Sequence, residues 1–486
     1  MLRSLSCVTS LALVGSALSG AQQSPPDTVR TIAALHQTLV DRGATIGPRI
    51  WPDFRPDTIA THYVIPRRAK LFAQWRDTLP TGFFRLPNVH ATAWTDTRAV
   101  SFPRGRPIAF LSVDSTSSPG SVLGLALHEQ FHAFQQAVAR PDRRFGAGEN
   151  SMLVATYPSF DVANEAAVAL EGRLLARALQ ARTRRDAQRL AREFLAVRET
   201  RHARLDSTFV QFEIAGELNE GLSQYAMLRG LRELARTDRR FAAAAAAEER
   251  HERALLDSLL DLGPRSIRRR FYATGSAIAM LLDWISDSSW KTRLVRDDAT
   301  LQQMLAAASG YRGRAALGAV WSRQADAELA RLRTDAERSV AALDRRRVAQ
   351  RDSIVGQPGL RLVVDPAALR GRRLDWCFFD PQNVLMTSAG ELLHMRLLRA
   401  CAGNAATVEF DQPVAEDRAT GILRTVIDST TMSVTSAGAA IPLPADGSTI
   451  EVSQLRVASP RVTLSAARAT MTRRGSELRI TPSAAP

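Results

Sequence analysis

Two histidines one helical turn apart, with a glutamate between them, raise the question of a metal. His128 and His132 flank Glu129 in GLALHEQFHAFQQ (residues 124–136), in a chain of 486 residues with 8 histidines. On a helix, imidazoles at i and i+4 project the same way and can both reach one Zn²⁺. A carboxylate at the next position, about 100° round, can reach a water held there. Zinc acidifies that water and the carboxylate takes its proton, which is hydrolytic chemistry. At this histidine content chance produces an HExxH about one time in a hundred. The setting strengthens the motif. Leu127, Gln130, Phe131, Ala133 and Phe134 carry no charge, and no Lys or Arg occurs between Arg106 and Arg140, as a cation site would favour.

A catalytic zinc needs a third protein ligand and a fourth position open to water. The motif is not extended to HExxHxxGxxH, because AFQQAV follows His132, so the third ligand lies elsewhere. FVQFEIAGELNEGLSQYAMLRGL (residues 209–231) places Glu213, Glu217, Glu220 and Gln224 at i, i+4, i+7 and i+11, one predicted helix face, and has no base from Phe209 to Leu228. DVANEAAVALEGRLLARAL offers Glu165 and Glu171 on a helix nearer in sequence to His132. The residues alone leave the choice among Glu165, Glu171, Glu217 and Glu220 open. For the oxyanion of a tetrahedral intermediate, Tyr225 and Tyr272 are the candidate hydroxyl donors. Tyr272 is preferred because nearby Gly275 permits a close helix approach. His202, between arginines, is expected in solvent.

HExxH followed by NEGLSQY resembles the gluzincin branch of zinc metallopeptidases, the thermolysin and alanyl-aminopeptidase kind, in which a glutamate from a later helix completes the site. The resemblance spans residues 107–290. It implies one zinc ion held by His128, His132 and Glu220, with Glu129 as general base. The chain departs from that pattern in three ways. The interval from His132 to Glu220 is much longer than in those enzymes. Gln224 stands where thermolysin-like enzymes place an aspartate that orients a ligand histidine. GAGEN (residues 146–150) looks like the aminopeptidases' substrate-amine motif but follows HExxH instead of preceding it, and is read as a chance match. By the same resemblance, RPIAFLSV (residues 106–113) would be an edge strand to which an extended peptide adds.

These residues need a helix under the histidines, and the punctuation provides one. Ser118 can cap the first amides, Pro119 suits the first helical position, and Pro141 lies past the end. The wider chain is read as α+β. A secretory signal peptide occupies 1–21 and takes Cys7 with it, and residues 22–117 mix short helices with strands. A mainly helical, zincin-like catalytic domain follows over 118–350, then a β-rich C-terminal domain, sandwich or barrel-like, over 356–486. Cys377 and Cys401 remain to pair or to stay as buried thiols. No later apolar run suffices for a membrane span. The formal net charge of +15 rests almost wholly on arginines interspersed with acids along helices, the pattern of solvated faces and not of a nucleic-acid surface. The expectation is a secreted or periplasmic zinc metallopeptidase acting on a peptide or protein. The rival from another class is a non-catalytic secreted binding protein whose zinc site is structural or decayed.

Overall fold

The computed structural model describes residues 26–65, 69–73, 83–85, 91–94, 107–113, 117–260, 266–380 and 383–483. The signal segment lies outside these residues. Apolar side chains at Ile32, Leu39, Ile46 and Ile50 recur at helical spacing and are buried, so the first element is one 25-residue helix, α1 (Pro26–Ile50), and not several short ones. A five-stranded sheet follows: β1 (Thr61–Ile65), β2 (Ala69–Ala73), β3 (Phe83–Arg85), β4 (Ala91–Trp94) and β5 (Ala109–Ser112), in the order β3-β4-β2-β1-β5. β5 runs parallel to β1 and forms an edge among the described residues, with Ala109 and Leu111 buried and Phe110 half exposed.

The helices then run α2 (Pro119–Val138), α3 (Val162–Gln180), α4 (Arg184–His202), α5 (Ser207–Gly216), a π-helical turn (Glu217–Gly221), α6 (Leu222–Thr237) and α7 (Ala242–Asp257). After them come α8 (Ser266–Ile285), α9 (Trp290–Arg296), α10 (Leu301–Ser309) and the 38-residue α11 (Gly318–Val355). From Leu360 to Ser483 the chain is a curled 13-stranded sheet. The α+β reading with a β-rich C-terminal part therefore holds.

The described residues fall into two compact units, those up to Ala137 with Gly230–Ala244, and Val138–Arg229 with those from Ala245 onwards. In the first, the side chains that fix α2 are aromatic: Phe131 meets Trp51 and Phe54 edge-on, with ring centroids 5.5 and 5.3 Å away. Gln130 Nε2 donates to Thr61 Oγ1 at 3.0 Å and ties the helix to β1.

In the second unit, α3, α4, α5 and α8 surround a buried ionic core described below. Its sheet alternates buried and exposed residues, as along Val462–Arg474, where Val462, Leu464 and Ala466 join the apolar core. A disulfide joins Cys377 to Cys401 on the paired strands Asp375–Phe379 and Leu397–Ala402, where a register shift leaves Cys377 as the extra residue. No helix among the described residues is long and apolar enough to cross a membrane.

Candidate metal centre

α2 begins as its punctuation requires, with Pro119 at its first position and Ser118 Oγ accepting the Ser121 N–H at 3.1 Å. Anchored by Phe131 and Gln130, it turns His128 and His132 the same way. Their Nε2 atoms stand 3.1 Å apart with the rings near perpendicular. His128 is buried, while His132 and Glu129 are half-buried.

The second contribution comes from the π-helical turn between α5 and α6. A π-turn adds one residue to the helical repeat and rotates the faces on either side of it. The single stripe predicted for Glu213, Glu217, Glu220 and Gln224 is therefore broken. Glu213 and Glu217 face a set of buried arginines instead. Arg201 donates to Glu213 through Nη1 and Nη2 at 2.7 and 2.6 Å and to Glu171 through Nε at 2.6 Å. Arg198 bridges Glu171 at 2.8 Å and Glu217 at 2.7 Å, and Glu217 also accepts from Thr274 Oγ1 at 2.6 Å. Arg270 forks onto Glu165, with Nη1 at 3.0 Å and Nη2 at 2.5 Å.

Burial pushes the Glu171 and Glu213 carboxyls up, and their guanidinium partners more than reverse it, so both sit below the ordinary carboxylate range. At Glu165 burial outweighs Arg270, and its carboxyl sits higher than usual. Glu165, Glu171, Glu213 and Glu217 are thus each paired with a buried arginine. His202 belongs to the same group, against expectation: its Nε2 lies 3.0 Å from Glu213 Oε2, and the side chain is largely buried because that carboxylate draws it in.

Glu220 has different neighbours. Gly221, the glycine of NEG, meets Gly275 of α8 so closely that a Cβ built on it would lie 2.6 Å from Gly275 Cα and 2.8 Å from Phe271 O. This approach, which the sequence suggested for Gly275, brings α8 against the turn. Arg268 Nη2 donates to Glu220 Oε1, and its Nε donates to Glu149 Oε1 at 2.5 Å. Tyr272, one turn on, shares a hydrogen bond with Glu220; burial and then the Glu220 charge raise its hydroxyl, so it stays protonated.

One nitrogen each of His128 and His132 and one carboxylate oxygen of Glu220 all lie within 4.8 Å of one another. Of the four glutamates left open by the sequence, Glu220 is the one in this group, which could hold a metal ion. No family model, curated protein or solved structure matches this chain.

Other expectations resolve as packing. Tyr225 is fully buried, its hydroxyl donating to Asp283 at 2.6 Å and its ring under Lys291 Nζ. Gln224 donates to Glu252 at 2.8 Å. Sequence reasoning missed Arg268, and it set Glu149 of GAGEN aside although that carboxylate shares a guanidinium with Glu220. The only signal for either would have been the α8 glycine, which fixes the helix face turned towards NEG.

Proposed function

We propose that this protein is a secreted or periplasmic zinc metallopeptidase, with His128, His132 and Glu220 as ligands of one zinc ion and Glu129 as general base. The observation that carries the reading is the convergence of those three side chains within 4.8 Å. The donor set fits the ion: two neutral imidazoles and one carboxylate are zinc ligands, and three protein ligands leave the fourth position for water or substrate. When bound, zinc supplies Lewis acidity, polarising a carbonyl and making water a nucleophile at neutral pH.

The chain's own groups do the rest. Glu129, next to His128 and half-buried, takes a proton from the attacking water and returns it to the departing amine. Tyr272, protonated and hydrogen-bonded to Glu220, would turn its one hydroxyl proton from that carboxylate to the oxyanion. Arg268 holds the Glu220 carboxylate from the side of α8. The strand β5, an edge of the sheet among the described residues with Phe110 half exposed, is where a peptide or protein substrate would lie extended.

We assign the helical region a zincin-like arrangement and the curled C-terminal sheet a barrel-like closure with an accessory role. The Cys377–Cys401 disulfide is compatible with an oxidising compartment.

Zinc analysis with peptide-library cleavage on wild type and Glu129→Gln tests the reading. Expected is one zinc per chain in both proteins, with cleavage in the wild type and a loss of about 10²-fold or more in the variant. Zinc in both with cleavage in neither would leave a structural zinc site and a binding protein.

A further inference from the structure

Among the described residues of the second unit four arginines have buried side chains, and three of them have carboxylates. Arg198, Arg201 and Arg270 each contact an acid at 2.5 to 2.8 Å. The fourth, Arg347 of α11, is 7% exposed, and among the described residues no carboxylate lies within ion-pair distance of it. Its one side-chain hydrogen bond goes to a neutral group, Gln350 Oε1, at 2.9 Å. Asp344, three residues earlier on the same helix, accepts from Ser388. A guanidinium cannot relieve its burial by losing the proton at neutral pH, so a buried one is expected to have a counter-charge. Burial, and Arg346 beside it, draw Arg347 down to about 10, still charged in ordinary buffers.

Arg347 lines a cavity of about 30 Å³, together with Tyr157, Ser159, Ile267, Leu343 and Leu385. At roughly 10–15 Å³ of such space per water, this is room for about two waters or one small ion. No acid contributes to the lining, and Arg347 is the charged side chain in it. Besides Arg347, the Ser159 hydroxyl is available there as a donor, held now by Tyr157 O at a long 3.4 Å. The apolar remainder of the wall selects for a weakly hydrated ion and leaves no place for a second charge.

From the unpaired buried guanidinium and the cavity it lines, we propose that Arg347 binds a small monovalent anion of chloride size. The anion supplies the counter-charge that Glu165, Glu171 and Glu213 supply to the other three arginines. It locks α11 to the loop carrying Tyr157 and Ser159 and to the strand Val384–Met386, all within the second unit.

The test is thermal melting of the full chain in sodium chloride and in sodium gluconate at equal ionic strength, gluconate being too large for the cavity. For the wild type, Tm rises with the logarithm of chloride concentration, by about 2 °C or more over the range, and stays flat in gluconate. Arg347→Met keeps the aliphatic length, removes the charge and loses the chloride increment, with a Tm in gluconate no lower than that of the wild type. Equal melting of the wild type in the two salts, or the same chloride increment in Arg347→Met, would overturn the assignment. A bromide soak of wild-type crystals gives an answer that does not depend on the variant folding. An anomalous peak at hydrogen-bond distance from the Arg347 guanidinium supports the site, and absence of that peak contradicts it.

Discussion

Replacing Gly221 by alanine sets two effects against each other with opposite signs. Helix propensity alone favours alanine by about 1 kcal/mol. The packing opposes it: the new Cβ would stand 2.6 Å from Gly275 Cα, 2.8 Å from Phe271 O and 3.1 Å from Gly275 C. All three are backbone atoms and cannot rotate away. Restoring ordinary carbon contacts of about 3.5 Å or more requires α8 to retreat by about 1 Å. Overpacking of this kind costs about 1–3 kcal/mol, so the net effect is a destabilisation of up to about 2 kcal/mol where propensity predicts a gain. The same retreat carries Arg268 and Tyr272 away from Glu220. Urea denaturation with a fixed m-value gives the first quantity, and chelator competition for zinc gives the second. Glycine→alanine at 221 should lower the midpoint and weaken zinc binding by about 10-fold or more, as loss of a ligand's supporting contacts does. A variant as stable as the wild type or more so, with unaltered zinc affinity, would refute the close-approach argument.

Two further predictions concern buried charge. Arg201→Ala strips Glu171 and Glu213 of their shared guanidinium and should cost about 3–5 kcal/mol in chemical denaturation, whereas removal of an exposed pair such as Arg333–Glu337 should cost under about 1 kcal/mol. Glu252, whose carboxyl burial raises to about 7, should make stability fall with pH. Its folded value exceeds its unfolded one, so the stabilisation is complete below about 4.5 and is lost as pH rises through 7. Glu252→Gln, which can still accept from Gln224, should remove that slope and gain up to about 3 kcal/mol at pH 8, measured by denaturation across pH. A slope retained in the variant would remove Glu252 as its source.

What was legible in the sequence was local. The histidine pair and its helix follow from residues within one or two turns of each other, with Ser118 and Pro119 fixing the start. The C-terminal strands that alternate, such as Thr449–Ser459 and Val462–Arg474, were legible for the same reason. The strands Glu391–His394 and Val414–Asp417 bury consecutive residues and so show no period of two. Which glutamate groups with the histidines was illegible because Glu165, Glu171, Glu217 and Glu220 differ only in their distant partners. Arg198, Arg201 and Arg270 pair with the first three and Arg268 with the fourth, and no spacing rule announces those pairings. The π-turn was equally hidden, since a helical stripe read at 3.6 residues per turn assumes an unbroken repeat. Arg268 sat among other arginines in RRRFY's neighbourhood, where charge alone predicts solvent.

The central claim is that Glu220, and none of the neighbouring glutamates, completes a zinc site with His128 and His132. The most direct measurement is zinc affinity by chelator competition for wild type, Glu220→Ala and Glu171→Ala. Expected is one tightly bound zinc per wild-type chain and a loss of more than about 100-fold in Glu220→Ala, beyond what removal of a supporting residue costs. Glu171→Ala, if folded, should keep its zinc. Full affinity in Glu220→Ala, or a wild type that binds no zinc, would contradict the account.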